Sequence, residues 1–334
     1  MKANIGINGF GRIGRIFLRQ ALKQGMNVVA INSRGPIESH YHLFKYDSTY
    51  GTFDQDVKME GDFIVCGKNR IRVFREDLPE NIPWSSVKTD IVIESTGVFV
   101  NKKDAQRHLQ GTVKKVIISA PGKDDDGTFV MGVNEKTYNP KTQHVISNAS
   151  CTTNCLAPVA KVLHETFGII KGQMTTIHAF TNDQNILDNT HKKDMRRART
   201  ATASLIPTTT GAAEAVGKVL PELNGKLTGI SVRTSHMTVS LVDLVVLLKK
   251  NVTAQEVNQA IEKASKTSLK GILSLNMEPL VSIDYKGCEI SSVVDGLSTA
   301  VIDGNLLKIL SWYDNEWGYT ARLIDLTKYV GEKL

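Results

Sequence analysis

Residues 3–22, ANIGINGFGRIGRIFLRQAL, decide the fold. An apolar strand pattern over 3–8 runs straight into Gly9-Phe10-Gly11-Arg12-Ile13-Gly14. Ile13, Ile16, Phe17 and Leu22 then recur at helical spacing. G-x-G-x-x-G alone is a weak signal, but between a strand and a helix it reads as a dinucleotide site. Gly9 allows the tight turn, Gly11 lets backbone approach a pyrophosphate, and Gly14 lets the helix lie close on the sheet. Arg12 and Ile13 supply the helix-start amides, where phosphate charge is favoured.

Outward from this stretch, NVVAIN over 27–32 is a second strand. A NAD site usually presents an acid to the ribose 2′-hydroxyl at its end. Ser33 and Arg34 stand there instead, and Glu38 comes several residues too late. The bland reading is a turn made by Gly35-Pro36. The functional one is a pocket for a 2′-phosphate, with a hydroxyl donor and a guanidinium where a carboxylate would repel. A helix continues through 42–45, and short alternating strands fill 57–74 with turns at Gly61 and Gly67. Buried-looking strands over 90–94 and 115–119 flank a polar helix over 102–109. Apolar runs alternating with helices argue a doubly wound parallel sheet. Ser95-Thr96-Gly97 and Ser119-Ala120-Pro121-Gly122 would line its crevice.

The second informative stretch is SNASCTTNCLAP over 147–158. Ser150 reads as an N-cap, which puts Cys151 in the first helical turn, where the helix dipole favours a thiolate. Cys155 lies one turn on, and Pro158 leaves the Asn154 carbonyl without its usual donor. A C-x-x-x-C pair often only packs; the polar company of Ser150, Thr152, Thr153 and Asn154 raises the reactive reading. No second ligand pair sits nearby at metal spacing, so no metal is expected.

The chain has 334 residues, room for two domains, and a net charge of +7 that suits anionic ligands without indicating nucleic acid. No apolar run is long enough for a membrane span. The N-terminus carries no apolar export segment, and the four cysteines suit a reducing compartment, so a cytoplasmic protein is expected. Strands are expected over 174–179, 229–233 and 238–248, with Thr253 and Glu256 forming a capping box. Between them, 180–204 is a long polar stretch carrying His191, Lys192, Lys193, Arg196, Arg197 and Arg199. That charge run is either a solvated face or an anion site. Thr208-Thr209-Thr210-Gly211 precedes another helix, a natural second phosphate position. His236 has no assigned role and reads as a surface-turn histidine.

SNASCTTNCLAP resembles the active-site signature of phosphorylating glyceraldehyde-3-phosphate dehydrogenase, and the similarity runs from Ile5 to about Tyr329. The resemblance implies an α/β protein: an N-terminal Rossmann dinucleotide-binding domain (1–150 with a terminal helix over 315–334) and an α+β catalytic domain (151–314) with a mostly antiparallel sheet. It makes Cys151 the nucleophile and His178, in T-x-H-A-x-T-N-D-Q, its acid–base partner. An imidazolium beside Cys151 would lower the thiol pKa by several units. Thr181 and Arg233 would hold the substrate's phosphate. Ser150, Thr152, Arg197, Thr210 and Gly211 would hold the attacking phosphate.

By the same resemblance Asn315 would fix the nicotinamide carboxamide, and Ser119 would line the cofactor site. NAD and/or NADP is the cofactor implied; glyceraldehyde 3-phosphate and inorganic phosphate are the substrates; the assembly implied is a homotetramer whose loop near Asn189 and Thr190 reaches a neighbour's cofactor site. Two departures stand out. Glu76-Asp77-Leu78-Pro79 lacks the family's adenine-side arginine, leaving Arg75 as its possible replacement, and Arg233-Thr234-Ser235-His236-Met237 replaces the family's prolines. Erythrose-4-phosphate dehydrogenase and a secondary nucleic-acid role are the alternatives.

Overall fold

A computed structural model describes residues 3–192 and 194–334; Lys193 of the basic run lies outside the described residues. The described chain forms two compact units, one of residues 3–129, 135–149 and 320–334, the other of 130–134 and 150–319.

The first unit contains β1 (Asn4–Asn8), α1 (Arg12–Lys23), β2 (Asn27–Asn32), α2 (Ile37–Lys45), β3 (Val57–Glu60), β4 (Phe63–Cys66), β5 (Asn69–Phe74), β6 (Ile91–Glu94), α3 (Lys102–Ala105), β7 (Lys115–Ile118), β8 (Gly127–Thr128) and β9 (Val145–Ser147). These strands form one sheet in the order β3-β4-β5-β2-β1-β6-β7-β9-β8. From β5 through β8 every pairing is parallel, while β3, β4 and β5 form an antiparallel ribbon at one edge. Ile5, Ile7 and the Ile91-Val92-Ile93 run are fully buried, as a parallel sheet covered on both faces requires. Each such side chain contributes about 1.5–3 kcal/mol. The order departs from β1 in both directions, to β2 on one side and β6 on the other. The carboxyl ends of β1 and β6 therefore frame the crevice where such sheets bind ligands.

One expected element is shorter. The helix over 102–109 ends at Ala105, and a tighter turn, Gln106–His108, follows. That turn swings His108 into the core, where Trp84 Nε1 donates to its Nδ1 at 3.1 Å and Nε2 faces Glu94 at 3.0 Å.

The second unit contains α4 (Cys151–Phe167), β10 (Ile169–Ala179), β11 (Ile206–Thr209), α5 (Ala212–Val219), β12 (Leu227–Thr234), β13 (Ser240–Leu248), α6 (Ala254–Lys266), β14 (Leu273–Asn276), β15 (Ser292–Ile302) and β16 (Leu306–Tyr313). Its sheet runs β11-β12-β10-β13-β16-β15-β14. The pairings are antiparallel except β10 with β12 and β14 with β15. Along β13, Val242, Leu244, Val246 and Leu248 are buried while Leu241, Asp243, Val245 and Leu247 are half-buried, so its apolar run serves two unlike faces. Helix α4 continues through Pro158, and Thr253 with Glu256 makes the capping box that opens α6. Helix α7 (Trp317–Gly331) returns the chain to the first unit.

Candidate functional site

In the first unit, a cleft of about 340 Å³ lies against the turns Gly9–Gly11 and Asn32–Gly35, with Glu76, Asp77, Ser95 and Thr96 on its walls. The glycines do different work. Gly9 has φ +94°, and a Cβ there would stand 2.6 Å from the Thr96 nitrogen; one on Gly14 would stand 2.2 Å from the Gly9 carbonyl oxygen. A Cβ on Gly11 would meet no protein atom, so only a ligand excludes a side chain there. Helix α1 begins with neither a side-chain cap nor an acid in its first turn, leaving its positive end for an anion. These features fit a dinucleotide pyrophosphate. The Arg12 side chain turns away to Asp47 at 2.5 Å, and neither it nor Ile13 lines the cleft.

At the ribose end, Ser33 N–H donates to the Phe74 carbonyl at 3.0 Å, and Arg34 Nη1 lies 3.6 Å from Asp77 Oδ1. Arg75 pairs with Asp62 at 3.4 Å and does not line the cleft. The wall that carries an arginine in the resemblance thus carries a carboxylate, which holds Arg34 in its place. Ser119, just past β7, donates its N–H to the Glu94 carbonyl at 2.9 Å.

Beneath the cleft lies a buried network that sequence reasoning missed. Glu94 Oε2 accepts from Asn8 Nδ2 at 2.6 Å and from His108 Nε2 at 3.0 Å, while Oε1 accepts from the Thr96 N–H at 2.8 Å and from its hydroxyl. Asn32 Nδ2 donates to Asn8 Oδ1 at 2.8 Å, and Asn32 Oδ1 accepts from the Glu76 N–H at 2.8 Å. Every loop that lines the cleft is tied to this carboxylate. The available signal was the polar Asn8, Asn32 and Glu94 closing otherwise apolar strands.

In the second unit, Cys151 opens α4 after Ala149, a non-glycine residue at φ +56°. Ser150 is the N-cap, its Oγ accepting from the Thr153 N–H at 3.0 Å. His178 sits near the end of β10, directly opposite Arg233 of β12. Cys151 Sγ and His178 Nε2 are 3.4 Å apart. His178 Nδ1 lies 2.7 Å from the Ala179 carbonyl oxygen; a proton on Nδ1 would donate there and leave the Nε2 lone pair facing sulfur. Arg233 Nη1 stands 2.8 Å from Nδ1 and 3.3 Å from the same carbonyl.

Burial and then the Arg233 charge push the His178 pKa down to about 3. Burial pushes the Cys151 thiol up, against the Arg233 charge, which pulls it down. Burial thus opposes both a charged ring at His178 and a thiolate at Cys151, while the Arg233 charge opposes the first and favours the second. Arg233 makes no ion pair with a carboxylate among the described residues, so its charge remains available to an anion. Cys155 is fully buried near Ser292 and Ser311, its pKa pushed up to about 12 by burial; it packs.

The other anticipated residues are less uniform. Thr181 binds Gln184 Oε1 through its N–H at 2.8 Å. Arg197 pairs with Asp183 and donates to Thr208 Oγ1 at 2.8 Å. Thr210 Oγ1 accepts from the Ala212 N–H at 3.2 Å, and Gly211 is the N-cap residue of α5. The Thr153 hydroxyl reaches the Ala212 carbonyl at 3.4 Å, which brings the starts of α4 and α5 together. The Thr152 hydroxyl, in contrast, turns inward to Tyr313 OH at 2.9 Å, which also reaches Thr176 Oγ1 at 2.9 Å. Asn315 Oδ1 accepts from Ser240 Oγ at 2.9 Å. Asp183 lies inside the T-x-H-A-x-T-N-D-Q motif and Tyr313 at the end of β16, and only their partners reveal them.

A Rossmann-type nucleotide cleft together with a cysteine–histidine centre flanked by an arginine defines an NAD(P)-dependent dehydrogenase. Residues 3–102 match the family described as glyceraldehyde 3-phosphate dehydrogenase, NAD binding domain, and residues 150–315 its C-terminal domain. The glyceraldehyde-3-phosphate dehydrogenase of Geobacillus stearothermophilus is 55% identical over 334 residues, covering 100% of this chain and 99% of that one. Glyceraldehyde-3-phosphate dehydrogenase 1 of Bacillus cereus is 56% identical over 330 residues, 98% of each chain, and glyceraldehyde-3-phosphate dehydrogenase 2 of Streptomyces avermitilis is 53% identical over 336 residues, 100% of each. The chain belongs to the glyceraldehyde-3-phosphate dehydrogenase family. Among the described residues no helix is long and apolar enough to cross a membrane.

Proposed function

We propose that the chain catalyses the reversible oxidative phosphorylation of D-glyceraldehyde 3-phosphate to 1,3-bisphosphoglycerate, in glycolysis or gluconeogenesis, through a thioester on Cys151. The 3.4 Å approach of Cys151 Sγ to His178 Nε2 carries this reading. As the aldehyde arrives, Nε2 takes the thiol proton and sulfur bonds to the aldehyde carbon. His178 then protonates the oxyanion, giving a hemithioacetal. It next removes that hydroxyl proton while hydride departs from the same carbon, and the thioester is left. Bound NAD(P) supplies the hydride acceptor. A phosphate oxygen attacks the thioester carbonyl and expels the Cys151 sulfur. General acid–base help of this kind is worth about 10²- to 10⁴-fold.

Arg233 and Thr181 are assigned the substrate phosphate, which supplies the anion that Arg233 lacks. Ser150, Arg197, Thr210 and Gly211 are assigned the attacking phosphate at the paired starts of α4 and α5, where Thr152 acts through its backbone. Asn315 is assigned the nicotinamide carboxamide, while Gly9, Gly11, Arg12, Ile13, Gly14, Ser33, Arg34 and Ser119 are assigned the dinucleotide. We take residues 1–150 with the 315–334 helix as the cofactor domain and 151–314 as the catalytic domain, a division supported by the G-x-G turn and Cys151 falling in different units. The assembly is a cytoplasmic homotetramer.

The test is turnover by purified protein with glyceraldehyde 3-phosphate, using NAD and NADP separately. Reduced cofactor should accumulate only when inorganic phosphate is also present. Phosphate-independent oxidation of erythrose 4-phosphate in its place would favour the sister activity; the names of the relatives do not.

A further inference from the structure

His236, where the resemblance has no histidine, is half-buried in the turn between β12 and β13. Its Nε2 lies 2.7 Å from the Val239 carbonyl oxygen and its Nδ1 2.7 Å from Thr234 Oγ1, so the ring closes the turn between β12 and β13 from within. That turn needs closing. Val239 is fully buried at φ +66°, a left-handed conformation that a β-branched residue rarely adopts and that persists only where its surroundings impose it. Nε2–H of His236 holds the carbonyl of that residue.

What the turn grips is the backbone around His178. The ladder of β10 with β12 ends at Ala179 opposite Thr234. From there three consecutive residues pass to the turn. Thr234 Oγ1 lies 3.1 Å from the His178 carbonyl oxygen and shares its one proton between that oxygen and His236 Nδ1, the Ala179 N–H donates to Ser240 Oγ at 3.1 Å, and the Phe180 N–H donates to the His236 carbonyl at 3.2 Å. The Ala179 carbonyl in turn faces His178 Nδ1. The peptide that faces the ring is thus held on both sides by the segment that His236 locks.

We propose that His236 is a positioning residue that fixes the His178 imidazole against Cys151, holding the turn through its bond to the Val239 carbonyl and its contact with Thr234 Oγ1. The inference rests on the reading of Cys151 and His178 as the reacting pair. His236 touches no reacting atom; it acts through Thr234, Val239 and Ser240.

The test is the rate of Cys151 carboxamidomethylation by iodoacetamide at pH 7, together with kcat and the KM for NAD. His236→Ala should slow labelling about tenfold and lower kcat by a similar factor, with the KM for NAD within about twofold of the parent. His236→Gln, whose amide nitrogen falls near Nε2 and can still donate to Val239, should recover most of both losses; a residue that only stabilised the fold would show no such parallel rescue. His236→Asn, polar but too short to reach the Val239 carbonyl, should slow labelling like the alanine variant, and it decides the matter if His236→Ala does not fold. Unchanged labelling in the folded variants, or a glutamine variant as slow as the alanine one, would overturn the proposal. Labelling needs no turnover, so rapid labelling of the parent without glyceraldehyde 3-phosphate oxidation would fault the proposed function and leave this inference standing.

Discussion

His178 Nε2 faces Cys151 Sγ at 3.4 Å while Nδ1 lies 2.7 Å from the Ala179 carbonyl oxygen, the arrangement the proposed proton transfer uses. Arg233, its register partner, opposes a positive charge on the ring and favours a thiolate on Cys151, so the one cation eases loss of the thiol proton and works against its uptake by the imidazole.

Cys151→Ala should abolish dehydrogenase activity and leave cofactor affinity nearly intact, since the group lost is the covalent nucleophile and not a ribose or phosphate contact. Cys155→Ala should cost about 1–2 kcal/mol of stability, from the loss of a buried sulfur, with activity little changed. Opposite behaviour of the two variants in a steady-state assay would move the nucleophile to Cys155.

Replacing His178 by Asn should shift Cys151 labelling to higher pH, because the proton acceptor is gone and burial still opposes the thiolate. The buried ring also makes a stability prediction. Its pKa falls from the ordinary 6.5 to about 3, so below pH 6.5 the unfolded chain takes up a proton that the native chain refuses, and stability falls as pH drops toward 3. Between pH 7 and pH 5 this contributes about 2 kcal/mol of loss. Denaturant titrations at the two pH values should show that extra loss in the parent and not in His178→Asn; equal slopes would mean that His178 titrates normally.

Cofactor choice should turn on Ser33, Arg34 and Asp77. A 2′-phosphate carries about −1.5 to −2 charges at neutral pH. Ser33 and Arg34 would accept it, while Asp77 holds Arg34 and repels the phosphate. Ser33→Asp should lower the ratio of kcat/KM for NADP over NAD at least tenfold by setting a carboxylate beside the phosphate. Asp77→Asn should raise it, by about three- to tenfold from roughly 1 kcal/mol of relieved repulsion at this exposed position. A ratio indifferent to both substitutions would show that this turn does not read the ribose.

A homotetramer should appear in light scattering at micromolar concentration as a mass four times that of the chain, with no dependence on cofactor. A monomeric mass would leave the exposed Ile186, Leu187 and Met195 of the 180–204 loop, and Leu205 just after it, without their expected cover.

Local patterns in the sequence determined the parallel sheet, the Gly9 turn, the Ser150 cap and the position of Cys151 at a helix start. Each depends on neighbours a few residues apart: strand burial, helical spacing, or one side chain meeting the next turn. The family signature, also local, carried His178 and Arg233 with it. Charge and hydrogen bonding across long separations were decided only by the tertiary structure. Nothing near His178 in the chain announces that Arg233, 55 positions on, suppresses its protonation. Glu94 draws Asn8 and His108 from opposite directions, Asp77 faces Arg34 across a cleft, and the Thr152 hydroxyl turns to Tyr313. His236 reads as a surface residue because its partners, Thr234 and Val239, matter only once the turn has folded back on the strand that bears His178. A pKa depends on burial and on charges within a few ångströms, and a sequence gives neither distance until the sheet brings its strands into register.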